Sequence, residues 1–221
     1  MQFIKAGFEI LDDIDGVEIL KKIERISRVC YKSESKITDD SCYGMVKGLI
    51  ARKHFAMLEH VSVTAKFITD RGISHELVRH RLASFAQEST RYVSYSGNGR
   101  ETQIIMPGYL RGNETDSFDE AVIKMTARKI VEALADRAEE AYFGLRDMGF
   151  TPEQARGCLL TFTKTEIVVT ANLREWRHIF DLRAAGSTGK VHPQMLEIVI
   201  PALEEFKRRI PVVFDDIMPG V

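Results

Sequence analysis

The segment spanning residues 117–148 constrains the fold more than any other stretch of the chain. It opens on Ser117, is dense in Ala, Glu, Lys and Arg with apolar residues interleaved, and stops at Gly149. That composition and spacing predict one long amphipathic helix closed by a glycine. Thr151-Pro152-Glu153-Gln154 follows at once and reads as a new helix start, with Thr as cap, Pro at the first position and Gln three after the cap. Residues 60–69 and 162–170 alternate and are rich in β-branched side chains, so both are predicted strands. Residues 3–11 are more loosely strand-like, Asp15-Gly16 reads as a turn, and residues 17–29 have helical spacing. A second helix is expected after Thr38 as its cap, another over 73–81 after a break at Arg71-Gly72, and two more over 172–185 and 192–210. Residues 92–112 read as a loop with a short strand at 103–106. The order is neither strictly βαβ nor all-helical, so the expected class is α+β, a mixed sheet core packed with helices. No repeat or linker divides the chain, and a single domain over 1–221 is expected.

The net charge is −1 and the isoelectric point is near 6.6. A nucleic-acid-binding module built on the whole surface is therefore disfavoured, and any phosphate must be met by a local cluster of cations. Cys30, Cys42 and Cys158 are far apart and unpatterned, which predicts reduced thiols rather than a disulfide framework or a zinc site. No metal is expected. The opening MQFIKAGFEI lacks a basic segment followed by an apolar stretch, and no apolar run approaches a membrane span, so a cytoplasmic protein is expected.

The densest polar cluster is Arg79, His80, Arg81, Gln87, Glu88, Ser89, Thr90 and Arg91. Arginine presents a planar, permanently charged fork that matches phosphate oxygens. Beside hydroxyls and loop N–H groups, such a cluster suits a phosphate or pyrophosphate. The plainer reading is a solvated basic helix end. Leu82, Ala83 and Phe85, interleaved with the cations, count against it by suggesting that part of the cluster faces a core.

Arg79-His80-Arg81, seven further residues, then Ser89-x-Arg91 is similar to the RHR-x7-S-x-R signature of flavin-dependent thymidylate synthases. Five fixed positions in thirteen make the match specific. Tyr92, His54 with Leu58-Glu59-His60, Asn172-Leu173-Arg174, Trp176 and Asp181-Leu182-Arg183 extend the resemblance over residues 54–192. It implies the thymidylate synthase-complementing fold and the conversion of dUMP to dTMP. The one-carbon donor would be methylenetetrahydrofolate, the reductant FADH2, and the source of its electrons NADPH. No Gly-x-Gly-x-x-Gly follows a strand, so no dedicated dinucleotide fold is expected for NADPH.

The resemblance also distributes roles. It places Glu76, Arg79, Gln87, Glu88, Ser89, Thr90, Arg91, Arg156 and Arg183 toward dUMP. It places His54, Ala56, Arg79, His80, Arg81, Gln87, Asn172, Arg174 and His178 toward FAD. Arg183 would stabilise the N3-deprotonated uracil, which is enamine-like at C5, in place of the cysteine adduct that other thymidylate synthases form. The plainer reading of Arg183 is a cation at a helix C-terminus. Ser89 is expected to hydrogen-bond dUMP rather than attack it, because no positioned base is evident. His192 is expected to cap a helix before Pro193, His60 to be structural and Trp176 to be core. The resemblance further implies a homotetramer with FAD sites built by several subunits, with residues 92–99 reaching a neighbour. Three positions depart from the family: Ala56 where Ser or Thr is frequent, Glu76 where Gln is common, and Gln87 where Glu is frequent. A flavoprotein of this fold that has lost thymidylate synthesis, and a non-catalytic oligomer, are the remaining alternatives.

Overall fold

The computed structural model describes residues 1–95 and 101–220. In chain order the elements are β1 (Gln2–Ile4), β2 (Gly7–Ile10), α1 (Gly16–Val29), α2 (Ser41–Ala51), β3 (Ser62–Asp70), α3 (Arg71–Leu77), β4 (Ser84–Gln87), β5 (Gln103–Ile105), α4 (Phe118–Asp147), α5 (Pro152–Ala155), β6 (Lys164–Asn172), α6 (Leu173–Phe180) and α7 (Pro193–Arg209). Two sheets form, one of β1 and β5 and one in the order β2-β3-β6-β4. The class is α+β, as expected. The chain divides into two compact units: Met1–Gly7, Phe67–Arg79 and Ala86–Ile167 form the first, and Phe8–Lys66, His80–Phe85 and Val168–Val221 the second. No helix of the described residues is long and apolar enough to cross a membrane.

In the first unit β1 and β5 pair in parallel, with Phe3 opposite Ile104. The long helix α4 begins on a complete capping box: the Ser117 hydroxyl accepts from the Glu120 N–H, and the Glu120 carboxylate accepts from Ser117 N–H. Thr151 and Gln154 repeat the device at α5. Both starts were legible because each cap answers orphan N–H groups with a side chain four residues wide in sequence. Tyr142 of α4 packs with Tyr95 and Ala155, their rings edge-on at 5.8 Å for the two tyrosines. Asp70 caps α3 by accepting from the Ile73 N–H at 2.8 Å.

In the second unit Trp176 sits at the centre. It contacts Phe180 and Phe206 at ring distances of 5.6 and 4.8 Å, and Phe214 joins Phe206 edge-on at 5.4 Å. Such pairs add roughly 0.5–1.5 kcal/mol each beyond the area they bury. The Trp176 indole N–H donates to the Val63 carbonyl at 2.9 Å, and Leu173 N–H donates to Val61, so α6 is tied to β3. In β6 Thr165, Ile167, Val169 and Ala171 are buried in alternation, the period of two that marked it as a strand.

Several expectations need correction. The strand expected over 3–11 is two strands in different sheets, broken at Lys5 and Ala6. Asp15 is not a turn residue but the cap of α1, accepting from Glu18 N–H at 3.0 Å. The second helix starts at Ser41 rather than just after Thr38, because the Ser41 hydroxyl accepts from Thr38 N–H and donates to Glu24. Arg71-Gly72 does not break structure but opens α3, which ends at Leu77, leaving Arg79-His80-Arg81 in the turn beyond it. The strand β4 was not expected; it is short, and its pairing beside β6 supplies what its sequence lacks. Leu82 is 78% exposed rather than turned to a core. Of the loop 92–99, residues 96–99 lie outside the described residues.

Replacing Asp70 by Ala removes the α3 cap from a buried position. The expected loss is about 1–2 kcal/mol, read as a lower urea midpoint with an unchanged slope. An unaltered midpoint would show that the cap does not hold α3.

Candidate functional site

The second unit concentrates the charged residues at the junction of β6 and α6. Asn172 caps α6, its side-chain oxygen accepting from the Glu175 N–H at 2.9 Å. Over its first two turns α6 projects Arg174, Glu175, Arg177 and His178. It then widens into a π-helical segment, Asp181–Ala185, closed by Gly186 in the left-handed region at φ 71°. Segments of this kind carry an extra residue per turn and recur at functional sites. Arg183 lies on the widened turn. Its Nε donates to His80 Nε2 at 3.2 Å.

His80 is 4% exposed. Burial first, then the charges of Arg183 and His178, pull its imidazole down to about 4, so it is neutral over the physiological range. Arginine cannot supply a lone pair, so His80 Nε2 is the acceptor and the ring proton belongs on Nδ1. Nδ1 faces Glu175 Oε1 at 3.6 Å. Glu175 is also 4% exposed, and burial raises its carboxyl above the usual range, against the pull of His178 and Arg174. His178 meets His80 edge-on at 5.7 Å. His80, Glu175 and His178 present ligand atoms within 4.8 Å of one another, which geometry alone would allow to hold a cation. With Arg183 donating to one of those nitrogens and Arg174 beside Glu175, the surroundings disfavour a second positive charge.

Two of this unit's cavities are lined in part by residues of α6. One, of about 860 Å³, is lined by Asn172, Arg174, Glu175, His178, Leu82 and Phe55 among others. The other, of about 900 Å³, is lined by His54, Ala56, Lys36, Arg52, Arg174 and Met57 among others. Lys53, Phe55 and Arg174 line both. Cys30 shares the lining of the second with Arg28, Lys36 and Arg52, a neighbourhood of cations that its sequence position did not suggest. The two arginines of α6 differ in availability. Arg177 is buried, binds Asp216 through two bonds of 2.7 Å, donates to the Val213 carbonyl and lies 4.8 Å over the Phe55 ring. That makes it a structural clamp. Arg174 makes an exposed pair with Glu59, worth at most about 1 kcal/mol, so an anion can displace it.

The first unit holds the other expected residues. Arg79 is exposed in the turn after α3, and Glu76 is half-buried within that helix. Gln87 ends β4, and its Nε2 donates to the Ser74 hydroxyl at 2.8 Å and to Thr165 at 3.1 Å. Arg71 also reaches Thr165, at 3.4 Å. Glu88 accepts from the Tyr95 hydroxyl at 2.8 Å and from Lys164 at 3.0 Å, and Lys164 also binds Glu166. Burial and the Glu88 charge push the Tyr95 phenol up. For Lys164 burial acts downward, but its bonds to Glu166 and Glu88 win and the ammonium is held above its usual value. Ser89 Oγ accepts from Arg91 N–H at 3.3 Å, Thr90 is buried, and Arg91 pairs with Glu153 at 2.9 Å. Arg156 is exposed in the turn after α5, and Arg81, in the second unit, is exposed beside His80.

Sequence reasoning missed Glu175, Ser74 and Thr165. Glu175 stands three after Asn172, where an acid ordinarily serves the helix start. Its burial was the only sign of another role. His192 caps α7 as expected, its Nδ1 accepting from Gln194 N–H at 3.2 Å, and Trp176 is core.

The family model for the thymidylate synthase complementing protein matches residues 14–212. The chain is 30% identical over 203 residues to the flavin-dependent thymidylate synthase of Corynebacterium aurimucosum, covering 88% of this chain and 78% of that protein. The enzyme of the same name from Geobacter sulfurreducens is 30% identical over 201 residues, covering 88% and 80%. Among solved structures, the UMP/dUMP methylase PolB from Streptomyces cacaoi bound with 5-Br UMP superposes with a TM-score of 0.76 at 21% identity, over 97% of this chain and 95% of that one. At that identity the likeness shows the fold.

His80 gives the folded chain a defined pH dependence. Its folded value, about 4, lies below the ordinary 6.5, so its contribution is complete above pH 6.5 and is lost as pH falls toward 4. By pH 5 the loss is about 1–2 kcal/mol. Glu175, raised in the folded state, acts in the opposite sense and offsets part of it. Urea midpoints measured from pH 7 to pH 5 should fall more steeply for the native chain than for His80→Gln. Parallel slopes would mean that His80 is not held neutral.

Proposed function

The chain belongs to the thymidylate synthase complementing protein family, and on that premise we propose that it methylates dUMP to dTMP, with methylenetetrahydrofolate as one-carbon donor, FAD as cofactor and NADPH as reductant. The observation that carries this reading is Arg183, a permanent cation on a widened helical turn, bonded to a buried and neutral His80.

The residues present suit a flavin nucleotide. The two cavities lined in part by Arg174 have the volume of ligand sites. Lys36, Arg52, Lys53 and Arg174 offer charge for a pyrophosphate, and Phe55, Met57 and Leu82 offer apolar surface for a ring. We assign to FAD His54, Ala56, His80, Arg81, Asn172, Arg174 and His178 of the second unit and Arg79 and Gln87 of the first. Ala56 has no hydroxyl, so its contribution is through the backbone. Bound FAD, once reduced, supplies the hydride that converts the transferred methylene to methyl.

For dUMP we assign Glu76, Arg79, Gln87, Glu88, Ser89, Thr90, Arg91 and Arg156 of the first unit and Arg183 of the second. The surface pair of Arg91 with Glu153 is weak enough to yield to a phosphate. Ser89 stands as a donor to the nucleotide, with no histidine bonded to its hydroxyl among the described residues. Gln87 donates its amide N–H groups to Ser74 and Thr165, which leaves its carbonyl oxygen as the group to offer a ligand. Arg183 would stabilise the N3-deprotonated uracil, its proton having passed to solvent, and C5 of that anion would attack the methylene carbon as the carbon's bond to the folate nitrogen breaks. Preorganised charge of this kind is usually the largest catalytic contribution. Cys30 lines the cavity of His54 and Ala56, apart from the His80–Arg183 pair, so no thiol is assigned to C6.

A homotetramer with shared flavin sites is part of the proposal. Helix α4 supports it: only Ala135 and Tyr142 are buried, while Ile123, Ile130 and Leu134 share one exposed face. Apolar faces of that kind mark interaction surfaces.

Arg183→Ala should keep its flavin absorbance and lose dTMP formation by a factor of about 100 or more. Turnover near that of the native chain would refute the assignment. Salt-sensitive DNA binding with no flavin uptake would instead favour a nucleic-acid module. Changing Ile123 and Ile130 together to Glu should shift the mass measured by light scattering from tetramer to smaller species and release flavin. A native chain that is monomeric at micromolar concentration would overturn the shared sites.

A further inference from the structure

We infer that Glu175 is a positioning residue for Arg183, acting through His80: it fixes the imidazole tautomer that lets His80 accept from the arginine. The inference rests on the reading that Arg183 meets the uracil.

An arginine side chain has much rotamer freedom to lose before its fork points one way. On the Asp181–Ala185 segment one restraint on Arg183 is the bond from its Nε to His80 Nε2, 3.2 Å long. That bond exists only if Nε2 carries a lone pair. A neutral imidazole can carry its proton on either nitrogen, and the wrong choice sets an N–H of the ring against an N–H of the guanidinium. The group that decides is the one facing the other nitrogen. Here it is Glu175, whose Oε1 lies 3.6 Å from Nδ1 and which offers only acceptors when ionised.

Glu175 is well placed for this. The residue is 4% exposed, so few water molecules reach it. Its backbone N–H is held by Asn172 at 2.9 Å, which fixes the first turn of α6. The charged and titratable groups around the His80–Glu175 pair are Arg183, His178 and Arg174. The logic is that of a carboxylate orienting a histidine, which in turn orients the group that meets the substrate. An ordinary helix-start acid would be solvated and would have no histidine before it.

The test uses the flavin-loaded protein with 15N-labelled histidine, the His80 signals being identified by their absence in His80→Gln. In the native protein Nδ1 should carry the proton and Nε2 should be the bare nitrogen. Glu175→Gln keeps an acceptor, so it should retain that tautomer and kcat within about threefold. Glu175→Leu should move the proton to Nε2 and lower kcat about 10- to 100-fold, with KM for dUMP and flavin content little changed. Glu175→Asp, which keeps the charge but shortens the reach, should fall between them and covers the case in which the Leu variant does not fold. An Nε2–H tautomer in the native protein, the native tautomer in Glu175→Leu, or native kcat in that variant would each overturn the inference. If the tautomer moves as stated but the native protein forms no dTMP, the positioning stands and the proposed reaction is what fails.

Discussion

The bond from the Trp176 indole to the Val63 carbonyl carries more of this structure than its 2.9 Å suggests. It pins α6 to β3 at the place where Phe180, Phe206 and Phe214 gather. Every polar residue of the second unit's site that lies on α6 is referenced to that anchor. Trp176 faces inward, so Glu175 and Arg177 flank the core and His178 turns out to solvent. A helix tied less firmly would let Arg183, just past its end, wander by more than a hydrogen bond tolerates.

The two units handle charge differently. In the second, the buried histidine stays neutral beside Arg183, and Arg174 is held only by an exposed pair with Glu59. In the first, Glu88, Lys164 and Glu166 satisfy one another and Tyr95 closes the group. Glu88 therefore projects less negative field than its formal charge implies, because Lys164 sits on it. Gln87 carries the same economy further: where a carboxylate would face two hydroxyls, an amide donates to both.

Much of this was readable in the sequence. The starts of α4 and α5 were written in four-residue caps, β3 and β6 in strict alternation, and the core role of Trp176 in its helical position. The polar run at residues 79–91 was visible because its members lie close along the chain, but not its division, with His80 and Arg81 in the second unit and Arg79 and residues 87–91 in the first. What escaped was set by distance or by a hydrogen-bond shift. Gln87 meets Thr165 across 78 positions, and no local pattern announces it. Glu175 looked like a routine helix-start acid. The departure from regular helix after Phe180 has no side-chain signature, and its cues lie in Gly186 at positive φ and in the N–H of Gly220, which donates to the Ala184 carbonyl.

That last contact has a consequence for how the gene can vary. Gly220 lies so close to the segment that an added Cβ would meet the Ala185 oxygen at 2.5 Å. The segment Asp181–Ala185 is thus held at both ends, by Phe180 in the core and by Gly186 and Gly220 beyond. Side-chain exchanges at Leu182 or Ala185 leave the backbone count intact. Loss or gain of a single codon here would turn everything downstream by about 100° around the helix axis, and Arg183 would face away from His80. Across these five residues the chain length is therefore as tightly constrained as the buried Ala184 side chain.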